Sequence, residues 1–320
     1  MRILFITNSR IGDAVLSTGV LAHLIERHPA AEITIACGRA AGELFVAVPG
    51  VREVYLIDKE PRGRHWLKLW RHMAPQRWDI IVDLRASAIA YFLWAGRRYV
   101  MKASKTPEHR LVHLARVVGM NHVLPPRIWI RPEHELAACN LLPEGPPTLA
   151  VAPTANWRGK IWPSDRFAEL VARLTATDGI LPHARVVVLG AGGERTLAEP
   201  VLASVRAARC IDLVGKVDLL TAFAALRRCA FFVGNDSGLM HLAAASGTPT
   251  LGLFGPSRVE HYAPWGVRTA AVCTPVPYDT LARSPGYHPQ TTDTLMDSLT
   301  VEMVEAAAID LWRRNFGEAA

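Results

Sequence analysis

Asp236, Ser237, Gly238, Leu239 and His241 sit in VGNDSGLMHLAAASGTPTLGLFGPS, residues 233–257, where the apolar run 230–233 hands over to a small-residue helical pattern. In an open α/β sheet, such a junction is where ligands bind. The first N–H groups of a helix lack internal partners, and the helix dipole adds roughly half a positive charge there. A glycine lets backbone and ligand approach closely, so the junction suits a phosphate. Ser237 and His241 are four residues apart and share the helix face that begins at the ligand. Taken alone, the segment is equally an ordinary N-cap with a core histidine behind it.

A second junction, SRIGDAVLST at 9–18, puts Asp13 at the start of the first helical pattern. A carboxylate there can act as general base toward a hydroxyl; its plainer role is to interact with the dipole. A third, APTANWRGKIWP at 152–163, offers the hydroxyl of Thr154 and the ammonium of Lys160. Lys160 is either a point charge for phosphate oxygens or a solvated loop residue. In VVVLGAGGE, 186–194, Gly190 and Gly192 invite a dinucleotide reading. Arg195 occupies the third glycine position, however, and Asp212 precedes Leu-Val-Gly rather than a helix start, so that fingerprint is broken. Glu194 remains, a carboxylate able to accept bonds from ribose hydroxyls.

In RGRHWLKLWRHM, 62–73, Trp66, Leu69 and Trp70 share one helical face while Lys68, Arg71 and His72 lie off it. That is the pattern of an interfacial helix on an anionic membrane, or of a surface helix packing its tryptophans inward. The sequence lacks D-x-D, H-E-x-x-H, P-loop and G-x-S-x-G motifs. Diphosphate chemistry would then rest on helix dipoles and Lys160 in place of a metal ion.

The elements that must position these residues alternate along all 320 residues. Strands are predicted at 3–7, 32–36, 51–57, 79–84, 148–152, 185–189, 210–214, 230–233 and 250–254. Between them, helical patterns cover 14–27, 40–48, 66–73, 86–94 and 107–118, and 301–314 closes the chain. This alternation implies α/β folding with parallel sheets. The turn-rich LPEGPP at 142–147 divides the chain into domains 1–146 and 147–320, facing each other across a cleft, with 301–314 returning to the first. Residues 275–294 read as an irregular loop.

Half the residues are hydrophobic and a fifth are charged, as in a soluble globular protein. No apolar run approaches a membrane span of ~18 residues, and no signal peptide is recognisable. The five cysteines, Cys37, Cys139, Cys210, Cys229 and Cys273, are scattered and form no C-x-x-C, as expected of reduced cytosolic thiols. The net charge of +7 lies entirely in the first half: residues 1–146 hold 20 Lys/Arg against 13 Asp/Glu, and residues 147–320 hold 16 of each. A one-sided positive field attracts an anionic partner, whether nucleic acid, acidic lipid or phosphorylated substrate, or serves solubility alone.

These motifs together resemble glycosyltransferase family 9, the bacterial ADP-heptose:lipopolysaccharide heptosyltransferases. The resemblance rests on RILFITNSRIGDAVLSTGVLAHL, KIWPSDRFAEL, the long block LVGKVDLLTAFAALRRCAFFVGNDSGLMHLAAASGTPTLGLFGPS and the closing MDSLTVEMVEAA, and so spans nearly the whole chain. It implies the GT-B fold, two Rossmann-like domains with the acceptor on the first and the nucleotide-sugar donor on the second. Carried over by position, Asp13 deprotonates the acceptor hydroxyl, and Lys160 and Thr154 hold donor phosphates. The amides of Ser237 and Gly238 bind the diphosphate, with Asp236, Leu239 and His241 lining the donor and Glu194 near the ribose. Arg62, Arg64 and Lys68 meet the phosphorylated glycolipid acceptor.

The resemblance further implies an inverting, metal-independent transferase with no cofactor beyond its nucleotide-sugar co-substrate. It would be a monomer that binds no nucleic acid and is peripheral at the cytoplasmic face of the inner membrane. The alternatives are a family member using another nucleotide sugar, a non-catalytic binding member, or an epimerase or dehydrogenase on the same architecture. Three positions depart from the family pattern: Gly19 replaces a usual proline, Ala155 an occasional hydroxyl, and Val217-Asp218 a common Thr-Ser.

Overall fold

Runs such as Ile3–Ile6 and Phe231–Val233 are apolar at every position because a parallel strand covered by helices is buried on both faces. The computed structural model describes residues 1–104, 106–283, 288 and 293–317. It divides into two compact units, Met1–Arg131 and Pro132–Ala320.

In the first unit, β1 (Arg2–Ile6), β2 (Glu32–Gly38), β3 (Val51–Ile57), β4 (Trp78–Asp83) and β5 (Ala95–Val100) form a parallel sheet of order β3-β2-β1-β4-β5. Its helices are α1 (Ile11–Arg27), α2 (Arg64–Met73) and α3 (Arg110–Val117). The strand order reverses between β1 and β4, and the ends of those strands flank the crevice where such sheets bind ligands.

The second unit opens with α4 (Pro132–Leu141) and contains β6 (Thr148–Ala152), β7 (Arg185–Val188), β8 (Cys210–Asp212), β9 (Phe231–Asn235), β10 (Thr250–Phe254) and β11 (Thr269–Cys273). All pair in parallel, in the order β11-β10-β9-β6-β7-β8, so the order reverses between β6 and β9. Its remaining helices are α5 (Ser164–Leu174), α6 (Arg195–Ser204), α7 (Leu219–Leu226), α8 (Gly238–Ser246), α9 (Val259–Tyr262), α10 (Tyr278–Ala282) and α11 (Val301–Phe316). Leu149, Val151, Trp162, Phe167, Phe231 and Leu253 lie in one buried cluster, each such side chain contributing about 1.5–3 kcal/mol of burial.

Several elements differ from the sequence expectation. The units divide at Arg131/Pro132 and not within 142–147, because α4 packs on α7 and Arg227 pairs with Glu135. The closing helix α11 packs on α5, β10 and β11 of its own unit, burying Val301, Val304, Ala308 and Leu311, and so does not form part of the first unit. Residues 86–94 hold only a short 3-10 helix at Ala88–Tyr91. Ala86 there takes a left-handed φ of 54°, and Arg98 of β5 donates to the carbonyls of Ala90 and Leu93, tying the segment to that strand. The edge strand β5 carries two arginines and a glycine in six residues and so does not stand out in the sequence, and the short edge strand β11 is also not expected from it. Within the expected 275–294 loop, α10 covers Tyr278–Ala282, while 284–287 and 289–292 lie outside the described residues.

Candidate active site

In the second unit, the loop after β6 and the junction between β9 and α8 meet at the switch point. The β9–α8 junction supplies Asp236 and Ser237, with Ser237 in the N-cap position of α8. The β6 loop returns Lys160 to the same place, where its Nζ lies 2.5 Å from Asp236 Oδ2. Asp236 is 5% exposed, so this is a largely desolvated pair. Lys160 also lies 5.3 Å from the Trp157 ring centroid, a cation–π contact. Behind the pair, His241 Nε2 is 4.0 Å from Asp236 Oδ1, and His241 is buried. Lys160 is therefore neither a solvated loop residue nor a free cation.

Thr154, fully buried after β6, donates to Glu194 Oε2 at 2.6 Å. The same oxygen accepts from the amide of Ala191 at 3.1 Å. The two expected donor residues Thr154 and Glu194 thus touch each other, on the β7 side of Lys160 and Asp236. The glycine turn after β7 serves packing: a Cβ on Gly215, whose φ is +69°, would lie 2.5 Å from Gly192 Cα. That contact requires a glycine at Gly215, whereas a Cβ on Gly192 would meet Gly215 Cα at 3.6 Å and one on Gly193 nothing within 4 Å.

Some polar atoms here have no hydrogen-bond partner among the described residues. Ser237 Oγ and Asn235 Nδ2 are buried without a hydrogen bond. Asn235 is held in place because its Oδ1 accepts from the Trp162 amide at 3.0 Å. Orphaned buried donors next to a helix N-terminus are what an oxyanion ligand would satisfy. Leu239, in the first turn of α8, is half-buried beside them. Sequence reasoning missed Asn235 and Trp157; the Asn before Asp-Ser-Gly was the available signal for the first.

In the first unit, Asp13 lies in the first turn of α1, directly after β1 and beside the switch point, half-buried. Across the β1/β4 crevice, Asp83 at the end of β4 accepts from the amides of Arg85 and Ser87, both at 2.9 Å, and from Ser87 Oγ at 2.5 Å. Burial pushes the Asp83 carboxyl above its ordinary range, with these hydrogen bonds opposing. Of the basic residues expected to meet an acceptor, Arg62 and Arg64 are exposed, whereas Lys68 is already paired with Glu60. The packing of α2 also differs from the shared Trp66/Leu69/Trp70 face. Leu69 and Met73 are buried and Trp66 half-buried, while Trp70 and Leu67 are exposed at 38% and 48%.

Two of the sequence departures have structural reasons. A Cβ on Gly19 would sit 2.2 Å from the Leu124 carbonyl oxygen, so α1 is crossed there by backbone. Asp218 caps α7, accepting from the amides of Leu220 at 2.9 Å and Thr221 at 2.8 Å. Among the described residues, no three or more His, Cys, Asp or Glu are grouped to hold a metal ion. No helix among them is long and apolar enough to cross a membrane.

Two all-parallel sheets with candidate ligand sites at their switch points define the GT-B class of glycosyltransferase. Structural likeness agrees: a family 9 glycosyltransferase from Veillonella parvula superposes with TM-score 0.78 at 20% identity, covering 97% of both chains. The E. coli ADP-heptose heptosyltransferase II superposes with TM-score 0.71 at 21% identity, covering 98% of this chain and 99% of that one. In sequence, the chain is 27% identical over 305 residues to lipopolysaccharide heptosyltransferase 2 of Escherichia coli, covering 82% of this chain and 85% of the relative. The pattern of glycosyltransferase family 9 (heptosyltransferase) matches residues 84–283. The chain belongs to that family and is a glycosyltransferase.

Proposed function

We propose that this enzyme transfers heptose from ADP-heptose to a phosphorylated lipopolysaccharide-core acceptor, in one inverting displacement that needs no metal ion. The observation that carries the reading is the Lys160–Asp236 pair beside the orphaned Ser237 Oγ at the N-terminus of α8. A diphosphate placed there would meet an ammonium, a helix dipole and unsatisfied donors together. Thr154 and Glu194 lie on the β7 side, suited to the nucleoside end of the donor. Relatives named lipopolysaccharide heptosyltransferases support the choice of sugar and acceptor.

In the reaction, Asp13 takes the proton of the acceptor hydroxyl as that oxygen bonds to the anomeric carbon. The bond from that carbon to the diphosphate breaks on the opposite face, inverting the centre. The electron pair leaves on the nucleotide, whose growing charge is stabilised at α8 and Lys160. The acceptor is anchored at the cytoplasmic face of the inner membrane, where the enzyme is peripheral. Arg62 and Arg64 attract the acceptor's phosphates, and Lys68 adds to that field while paired with Glu60. The test is mass spectrometry of products from a panel of nucleotide sugars with truncated lipopolysaccharide acceptors. Heptosylated product from ADP-heptose alone is expected; product only from another donor overturns the sugar assignment, and none from any donor overturns the reaction.

A further inference from the structure

Helix α2 and the segment from Arg85 to Phe92 line an open cavity of about 780 Å³ that takes no part in the transfer as proposed. Its wall is mostly apolar, with Trp66, Leu67, Trp70, Ile89 and Phe92 contributing. Phe92 of this lining is 72% exposed, and its chain neighbours Tyr91 and Trp94 are exposed as well. Trp70 Nε1 donates to the Phe92 carbonyl at 2.9 Å, which ties helix to segment and gives the face a fixed shape. A contiguous exposed apolar patch of this kind marks an interaction site.

The charge around the patch identifies its partner. Between residues 60 and 98 eight Lys/Arg stand against two Asp and Glu60, the last paired with Lys68. Neither Asp opposes an incoming anion: Asp83 is buried, and Asp79 accepts from the Arg2 amide at 2.6 Å. Two guanidiniums lie over the aromatic rings themselves, Arg77 4.7 Å from the Trp94 centroid and Arg85 4.8 Å from that of Trp66. Arg85 lines the cavity, and its Nη1 is buried without a hydrogen-bond partner. Trp66, Trp70 and Phe92 with Arg85 in one apolar lining match the boundary between anionic headgroups and acyl chains.

We propose that this face docks on an anionic lipid monolayer, with an acyl chain entering the cavity and Arg85 meeting the lipid phosphate. This deepens the reading of the enzyme as peripheral. It moves the contact from the basic residues at the start of α2 to the apolar face of α2 and the 85–94 segment. Attachment there has two components: one electrostatic and lost in salt, the other apolar and retained.

The test uses the full chain and vesicles of phosphatidylglycerol with phosphatidylethanolamine, made with or without brominated acyl chains. The vesicles carry neither donor nor acceptor, so the outcome is independent of whether heptose is transferred. Brominated chains are expected to quench tryptophan fluorescence of the parent. The double variant Leu67→Ser/Phe92→Ser, altered only at exposed positions, should lose about tenfold or more in vesicle affinity at high salt. Its thermal midpoint should match the parent. Arg85→Gln should reduce the preference for phosphatidylglycerol over phosphatidylcholine vesicles, and Arg85→Lys should restore part of it. Parent-like vesicle binding by the double variant, or no quenching of the parent, overturns the proposal. So does a parent dimer that the double variant dissociates, since the face would then belong to a second copy of the chain.

Discussion

Lys160 Nζ sits 2.5 Å from Asp236 Oδ2 on side chains that are only 17% and 6% exposed, so the cation proposed to meet the donor is already neutralised within the chain. An incoming phosphate does not find a bare ammonium. It shares one with Asp236, and the balance of the site depends on the helix dipole and the unpaired Ser237 hydroxyl nearby. Removing Lys160 therefore has two consequences, lost phosphate contact and an uncompensated buried carboxylate.

Lys160→Ala is expected to weaken ADP binding by about 1.5–3 kcal/mol, the scale of a hydrogen bond to a charged group. It should also destabilise the fold, toward the roughly 3–5 kcal/mol seen when one partner of a buried pair is removed. Adding Asp236→Asn should recover part of the stability and none of the binding. Calorimetric titration with ADP and urea denaturation read the two effects separately. Parent-like values in both would remove the pair from the donor site.

Asp13→Asn keeps the shape of the first turn of α1 and removes its basicity. Turnover is expected to fall by about 10² to 10⁴-fold, with ADP affinity unchanged because the residues proposed to bind the donor lie in the other unit. Single-turnover kinetics and nucleotide titration check this, and a variant at half the parental rate would take Asp13 out of the chemistry.

How far the sequence shows all this depends on the range of the interaction. Strands at β1, β6 and β10 are legible because continuous burial on both faces leaves an apolar run, and the D-S-G junction because a helix start has local signals. The Lys160–Asp236 pair joins residues 76 apart, and no local pattern records it. The same holds for Thr154 with Glu194, 40 apart. The 86–94 segment misleads for a different reason: its composition suits a helix, but Asp83 captures the amides of Arg85 and Ser87 and starts a different turn. Helix α11 carries the right stripe at 301, 304, 308 and 311, and a stripe alone does not name the surface it covers.

Asp212 sets an acid limit on the second unit. Burial pushes its carboxyl up, but hydrogen bonds from Arg195 at 2.9 Å, Lys216 at 2.6 Å and the Val214 amide at 3.1 Å outweigh this and hold it at about 2. Because the folded value lies below the unfolded one, the native state binds fewer protons in that window. The stabilisation is present above the ordinary value of 3.8 and is lost as pH falls through about 2. Asp212→Asn should therefore show a shallower loss of stability than the parent between about pH 5 and pH 2. Urea midpoints across that range measure the slope, and equal slopes would contradict the assignment.

Transfer is expected to persist in excess EDTA, because ammonium, dipole and backbone donors are proposed to meet the leaving diphosphate where a metal otherwise would. Product formation with and without chelator, followed by Mg²⁺ addition, is the measurement. Complete loss restored by Mg²⁺ would show that these groups are insufficient.

The basic residues leading into α2 should act as a field and not as individual contacts. Lys68 already pairs with Glu60, and an exposed pair of this kind contributes only about 0–1 kcal/mol. Lys68→Ala alone should change acceptor affinity little, since it removes one cation and frees one carboxylate. Arg62 and Arg64 are exposed, and each charge near an anionic surface contributes about 1 kcal/mol. Replacing Arg62, Arg64 and Lys68 together by alanine should therefore weaken binding of phosphorylated acceptor clearly, and more at low salt than at high salt. ADP binding should stay the same, because the residues proposed to bind the donor belong to the second unit. Titrations at two ionic strengths, with phosphorylated and dephosphorylated acceptors, separate charge attraction from shape recognition. A triple variant that keeps parental affinity and salt dependence would show that this basic stretch is solvated surface and that the acceptor's phosphates are met elsewhere in the unit.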